Sequence, residues 1–429
     1  AGSTAVLDVV GSTFVGLAGE SGAAIRQGAS AGGAASLQVS GTSFTDNQAA
    51  GDGGAIAASA DGAGSASHLV VVASTFAGNV AEGDGGAIAL AARDGGLGAG
   101  QVSTSTFDGG LAARDGGAIH ASESGAAPGS RVEVSGSTFG RVAAGRDGGA
   151  IAVAASGRTQ VGWVVAVRDS SFADTSAGRD GGALALTSAD SKGAYFQLLR
   201  STVARASAMR NGGGISIVTS AGDALLDVQQ SDLSEAVAGS RGGGLASNAG
   251  AGGAAQVTAR ATTIRDSSAL LGGGASNFAA GGVSLMQFFD GTIHGNSAQA
   301  GGGGIHNGSS QAGSRATLNL FGSTVDGNVT EGNGGGFFNI AAGSTAQSVV
   351  VSSTIAQNRA GQYGGGLGNF VSGGGTARLD VSAATIAANA ALVQGGGAYN
   401  GFADSYSSGV SASLRSTIVA GSTGGDLRG

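Results

Sequence analysis

Residues 37–56 read LQVSGTSFTDNQAAGDGGAI, and residues 69–88 read LVVVASTFAGNVAEGDGGAI. The landmarks recur in the same order 32 residues apart. An alternating apolar pair (Leu37 and Val39) is followed by small Ser/Thr residues, then Phe44, Asn47, Asp52 and the run Gly53-Gly54-Ala55-Ile56. Alternation of period two marks a strand with one buried face. Glycines in tandem mark a tight turn.

The pattern extends over the whole chain. A bulky apolar residue follows the Ser/Thr pair at Phe14, Phe44, Phe76, Phe107, Phe139, Phe172, Val203, Leu233, Ile264, Ile293, Val325, Ile355, Ile386 and Ile418, giving fourteen units spaced 29 to 33 residues apart. A second apolar anchor lies behind glycines eleven or twelve residues after the first, as at Ile56, Ile88, Ile215 and Leu367. Only the stretch between the second anchor and the next alternating pair varies in length, which reads as a surface loop. Three short strands per unit and no helical period predict an all-β fold, a right-handed parallel β-helix of about 14 coils with a ~31-residue repeat. Stacking at roughly 4.8 Å puts like residues into columns inside the tube.

Composition agrees with a repeat built from small residues. There are 87 glycines but one proline, without the three-residue period of collagen. The 21 basic residues are scattered and the net charge is −7, which argues against nucleic acid. No run of eighteen apolar residues is present, so no membrane-spanning helix is expected. The absence of an initiating Met and of a leader-like amino terminus reads as a trimmed, exported product. With no cysteine, disulfides and thiolate chemistry are excluded. The expectation is one solenoid domain over 1–429, with Phe-anchored, Asp-bearing coils in 1–190 and aliphatic-anchored, Asn-bearing coils in 191–429.

The segments Phe44-Thr45-Asp46-Asn47 with Gly53-Gly54-Ala55-Ile56, and Phe76-Ala77-Gly78-Asn79 with Gly85-Gly86-Ala87-Ile88, resemble the FxxN and GGAI repeats of polymorphic outer-membrane proteins. More broadly, the chain is similar to secreted right-handed β-helix and autotransporter passenger proteins. That resemblance implies display at a bacterial cell surface or outside the cell, and an adhesive role toward a surface glycan or host ligand.

Five aspartates, Asp52, Asp84, Asp115, Asp147 and Asp180, stand two residues before the glycine-Ala pair in consecutive units. Two readings stand side by side. The column is a calcium-binding edge, since calcium takes carboxylate oxygens, or each Asp caps its turn by accepting from the following glycine amides, with Arg114, Arg146 and Arg179 neutralising the charge. Two asparagine columns read as structural ladders of stacked amides: a corner column at Asn277, Asn307, Asn339, Asn369 and Asn400, and a second at Asn47, Asn79, Asn296, Asn328, Asn358 and Asn389.

Polysaccharide-cleaving β-helices gather carboxylates on one outward strand face. Here the outward column, including Asp8, Gln38, Glu133, Asp227 and Asp380, never has acids on adjacent rungs. The in-unit pairs Asp46/Asp52 and Asp174/Asp180 read as turn caps. No enzyme is therefore expected, with a glycan-binding or glycan-cleaving β-helix as the alternative. Of His68, His120, His294 and His306, only the last two share a unit, on different sides of the coil, so no histidine metal site is expected. Trp163 reads as packing over the tube or as a sugar-stacking platform. The Thr column from Thr13 to Thr417 raises ice binding as a further alternative, although only one of the two Ser/Thr columns can face outward. Both ends lead straight into repeat sequence, which suggests head-to-tail association into a filament.

Overall fold

The computed structural model describes residues 3–125, 129–157, 164–190, 193–402 and 409–429. It is an all-β parallel solenoid of about 13 turns, without a helix among the described residues. The chain divides into two compact units, Ala1–Ala208 with Ala221–Leu226, and Met209–Ser220 with Asp227–Gly429.

A representative coil of the first unit has four strands rather than the three expected. Face one is Ala34–Ser40, face two Ser43–Thr45, face three Gln48–Ala49 and face four Ile56–Asp61. The sequence hides face three because only two residues separate Asn47 from the approach to the glycine turn. It also hides the length of face four, whose first residue is the second anchor Ile56: the strand runs on through Ala60 and Asp61 into the variable stretch, and the loop proper is 62–65.

Register is like-on-like along the anchor columns. Phe44, Phe76, Phe107, Phe139 and Phe172 pair in succession. Their rings stack at 4.8, 4.7, 4.8 and 4.7 Å between centroids, a distance set by the strand spacing. In the second unit the corresponding column is aliphatic, Leu233, Ile264, Ile293, Val325, Ile355 and Ile386. The expected fourteenth anchor is corrected by one residue. Ile386 pairs with Val419, whereas Ile418 pairs with Thr385 and is 64% exposed. Thr417 accordingly takes the corner serine position, and its hydroxyl donates to Arg415 O at 2.9 Å as Ser353 donates to Val351 O at 2.8 Å.

The two glycines of the turn have different reasons. Gly85 has φ +69°, a left-handed conformation that an L side chain resists. Gly86 has no such torsion, but a Cβ there would sit 2.1 Å from Gly117 O of the next coil. Ala87 is the first position where a side chain fits, and it is buried.

Between faces one and two, the first residue of each Ser/Thr pair turns inward. Thr42, Ser74, Ser105, Ser137 and Ser170 are buried. Each accepts the amide of its counterpart one coil earlier: Thr42 N to Ser74 Oγ at 3.2 Å, Ser74 N to Ser105 Oγ at 3.2 Å, Ser105 N to Ser137 Oγ at 3.2 Å. The threonines Thr75, Thr106 and Thr138 face solvent. One threonine column is thus outward, as strand alternation requires.

Candidate functional site: an aspartate, arginine and histidine edge

The turn that leads into face four carries the aspartate column along one edge of the first unit. Asp115, Asp147 and Asp180 are buried, while Asp52 and Asp84 are half-buried. The capping expected from the sequence is corrected in its partner. The first four carboxylates accept not from the glycines of their own turns but from the amide of the aspartate one coil on: Asp84 N to Asp52 Oδ1 at 2.9 Å, Asp115 N to Asp84 Oδ1 at 3.1 Å, Asp147 N to Asp115 Oδ1 at 3.0 Å and Asp180 N to Asp147 Oδ1 at 3.2 Å. The glycine amides go to main-chain carbonyls of the next coil, as with Gly85 N to Asp115 O at 2.8 Å. The column is a stitched ladder.

Arginines neutralise it from one coil on, and Arg114 also reaches two coils back. Arg114 Nη2 lies 3.0 Å from Asp52 Oδ1 and 2.9 Å from Asp84 Oδ2. Arg146 grips Asp115 through both Nε (2.8 Å to Oδ1) and Nη2, and Arg179 grips Asp147 in the same way. Burial alone would raise the Asp115 carboxyl, but the Arg146 hydrogen bonds and charge outweigh it and hold Asp115 below the usual carboxylate range. The same offset recurs on the rim: Arg141 with Asp108, Arg200 with Asp169, Arg205 with Asp174 and Arg265 with Asp232. Asp174, one of the in-unit acid candidates, is therefore held by Arg205 at 2.7 Å.

Sequence reasoning missed His120. It is the second residue of the face-four strand Ile119–Ser124, and its register neighbours are Ala89 and Ala152. The imidazole is 6% exposed and stands against the aspartate edge, with Nδ1 3.7 Å from Asp84 Oδ2. Nε2 is buried without a hydrogen-bond partner. Burial lowers its pKa from 6.5 against the opposing pull of Asp84 and Asp115, so the ring is neutral. Asp84, Asp115 and His120 each offer one ligand atom, all within 4.8 Å of one another. The signal was a histidine five residues after Asp115 where neighbouring units carry alanine. A search for paired histidines passes over it.

The other histidines are dispersed. His68 is exposed on face one, and the exposed His294 has Nδ1 3.0 Å from Asp326 Oδ2. His306 is fully buried between Phe278 and Phe338, with Nδ1 3.0 Å from Ser276 Oγ. Burial pushes it down to about 3. Trp163 lies outside the described residues.

Asn277, Asn307, Asn339, Asn369 and Asn400 are not at a corner. They are the third residue of successive face-four strands. Their amides form a chain, Nδ2 to Oδ1 at 2.7 Å in each step. Nδ2 also reaches across to face-one carbonyls, as from Asn307 to Gln347 O at 2.9 Å. The Asn296, Asn328, Asn358 and Asn389 column does occupy a turn, between faces two and three, and is buried.

No known protein family matches this chain, and no curated protein matches its sequence.

Proposed function

We propose that this β-solenoid is a non-catalytic scaffold displayed outside the cell, where it serves an adhesive or structural role. The observation that supports this reading is the commitment of its acids. The rim aspartates named above are held by an arginine one coil away, and the buried Asp115 and Asp147, held likewise, also accept a main-chain amide. General acid–base cleavage of a glycan needs two carboxyl groups facing a common substrate with separated proton affinities. Carboxylates each paired with its own arginine do not provide that. Location and adhesion rest on the resemblance of the FxxN and GGAI repeats.

The test is a glycan array run beside reducing-sugar release on acidic and neutral polysaccharides. Binding without turnover supports the scaffold. Turnover that disappears in Asp174→Asn or Asp115→Asn overturns it in favour of a polysaccharide-cleaving enzyme.

A further inference from the structure

We infer that Asp84, Asp115 and His120 bind one divalent transition-metal ion of the zinc class, clipping two neighbouring coils of the first unit together. The inference starts from register. Asp84 and Asp115 occupy the same position one coil apart, and His120 follows Asp115 on the adjoining face-four strand. Coil spacing therefore assembles a nitrogen and two carboxylates from residues that are distant in sequence.

The second observation is the imidazole itself. His120 is 6% exposed, its Nε2 has no hydrogen-bond partner, and Nδ1 is 3.7 Å from Asp84 Oδ2, beyond hydrogen-bond length. Buried polar groups are nearly always satisfied, and an orphaned one is destabilising. Packing does not call for a ring here, because the same position is alanine in the coils above and below. A metal ion takes one ring nitrogen as a ligand and gives the site its reason.

The carboxylates have capacity left. An ionised carboxylate offers about four lone-pair sites. Asp84 uses two, for Asp115 N and Arg114, and Asp115 uses three, for Asp147 N and the two Arg146 contacts. Arg114 is half-exposed and also holds Asp52, so it can yield Asp84 to the ion while keeping its second partner. Ligand bonds of about 2.0–2.2 Å place two ligands on one ion roughly 3.3–4.2 Å apart. The present separations, within 4.8 Å, close to that by rotation of the carboxylates. The donor set selects the metal: imidazole with carboxylates suits zinc, nickel or copper, whereas calcium takes oxygens alone.

The experiment uses the tag-free, full chain stripped of metal and titrated with zinc by calorimetry, with cobalt absorption as a spectroscopic reporter. One equivalent is expected, insensitive to millimolar calcium. His120→Ala should weaken zinc binding by roughly 100-fold or more, since even outer-shell partners of a metal ligand account for 10–100-fold. Asp84→Asn, which keeps side-chain size, should lose affinity likewise, and His294→Ala should not. Circular dichroism of each variant reports whether the coils are intact, and Asp84→Asn decides the matter where His120→Ala does not fold. Absence of zinc binding by the wild-type chain, wild-type affinity in folded His120→Ala or Asp84→Asn, or loss in His294→Ala overturns the site.

Discussion

Truncating Asn328 to alanine should open the second unit locally. Its Oδ1 accepts from Asn296 N at 2.9 Å and Asn296 Nδ2 at 3.0 Å, and its Nδ2 donates to Ile293 O at 2.9 Å and Asn358 Oδ1 at 3.0 Å. Asn296 Nδ2 keeps Ile264 O, and Asn358 Oδ1 keeps Asn328 N, so the Asn296 N–H is the group left without its partner. Orphaning a buried amide costs about 1–3 kcal/mol, and three further hydrogen bonds are lost at about 1 kcal/mol each. Allowing for non-additivity, the destabilisation is about 3–5 kcal/mol. Asn328→Asp is a sharper variant, because the oxygen replacing Nδ2 would face the acceptors Ile293 O and Asn358 Oδ1. Coils contact chiefly their neighbours, so global two-state analysis does not apply. Native-state hydrogen exchange is the right assay. Opening free energies for amides in 293–298, 325–330 and 355–360 should fall by that amount, with the first unit unchanged. Values within about 0.5 kcal/mol of wild type would refute the ladder argument, as would an equal fall in both units.

Three further outcomes are expected. Gly86→Ala should destabilise by about 3 kcal/mol, because its Cβ meets Gly117 O, while Gly28→Ala, whose Cβ finds only Ser59 Oγ at 3.5 Å, should stay within about 0.5 kcal/mol; hydrogen exchange in the coils around each position compares them. His306 has a folded pKa of about 3, below its unfolded 6.5, so the neutral ring's contribution is present above pH 6.5 and lost on acidification toward 3, at about 1.4 kcal/mol per pH unit. His306→Phe, between Phe278 and Phe338, should remove that slope in exchange-detected stability of the second unit. Glu123 has its pKa raised by burial, with Oε1 unpartnered, so its protonated form is favoured on folding and stability falls as pH rises through 4.5. Glu123→Gln should therefore raise the exchange-detected stability of the coils around it at pH 7.

The solenoid is legible in the sequence because like residues stack on like, so Phe44, Phe76 and Phe107 declare their column by spacing alone. What spacing does not carry is which atom of the neighbouring coil a side chain meets. Asp115 therefore reads as a cap of its own glycines, whereas it accepts from Asp147 N. For the same reason the Asn277 to Asn400 column reads as a corner. Its members sit behind a glycine turn, but strand alternation from Ile305 turns Asn307 inward. The two-residue strand Gln48–Ala49 is too short to show a period. At Ile418 a third apolar-compatible residue, Val419, allows the frame to slip by one without any change in composition. His120 escaped because its partners come from two coils, and a motif search along the chain sees one.

The like-on-like register also determines how such a protein changes over generations. A coil's upper and lower neighbours are near-copies of itself, so duplicating or excising one whole repeat rejoins edges that already match. Phe107 would lie as readily on Phe44 as on Phe76, and the Gly86 carbonyl approach would be met by any other copy of the turn. Gain or loss of about 31 residues is then a milder event than a single-residue insertion within Thr75–Ala77, which would send Phe76 out of its column and reverse the facing of the strand. Length polymorphism among variants of this gene should accordingly come in whole coils, with small insertions confined to the loops after face four.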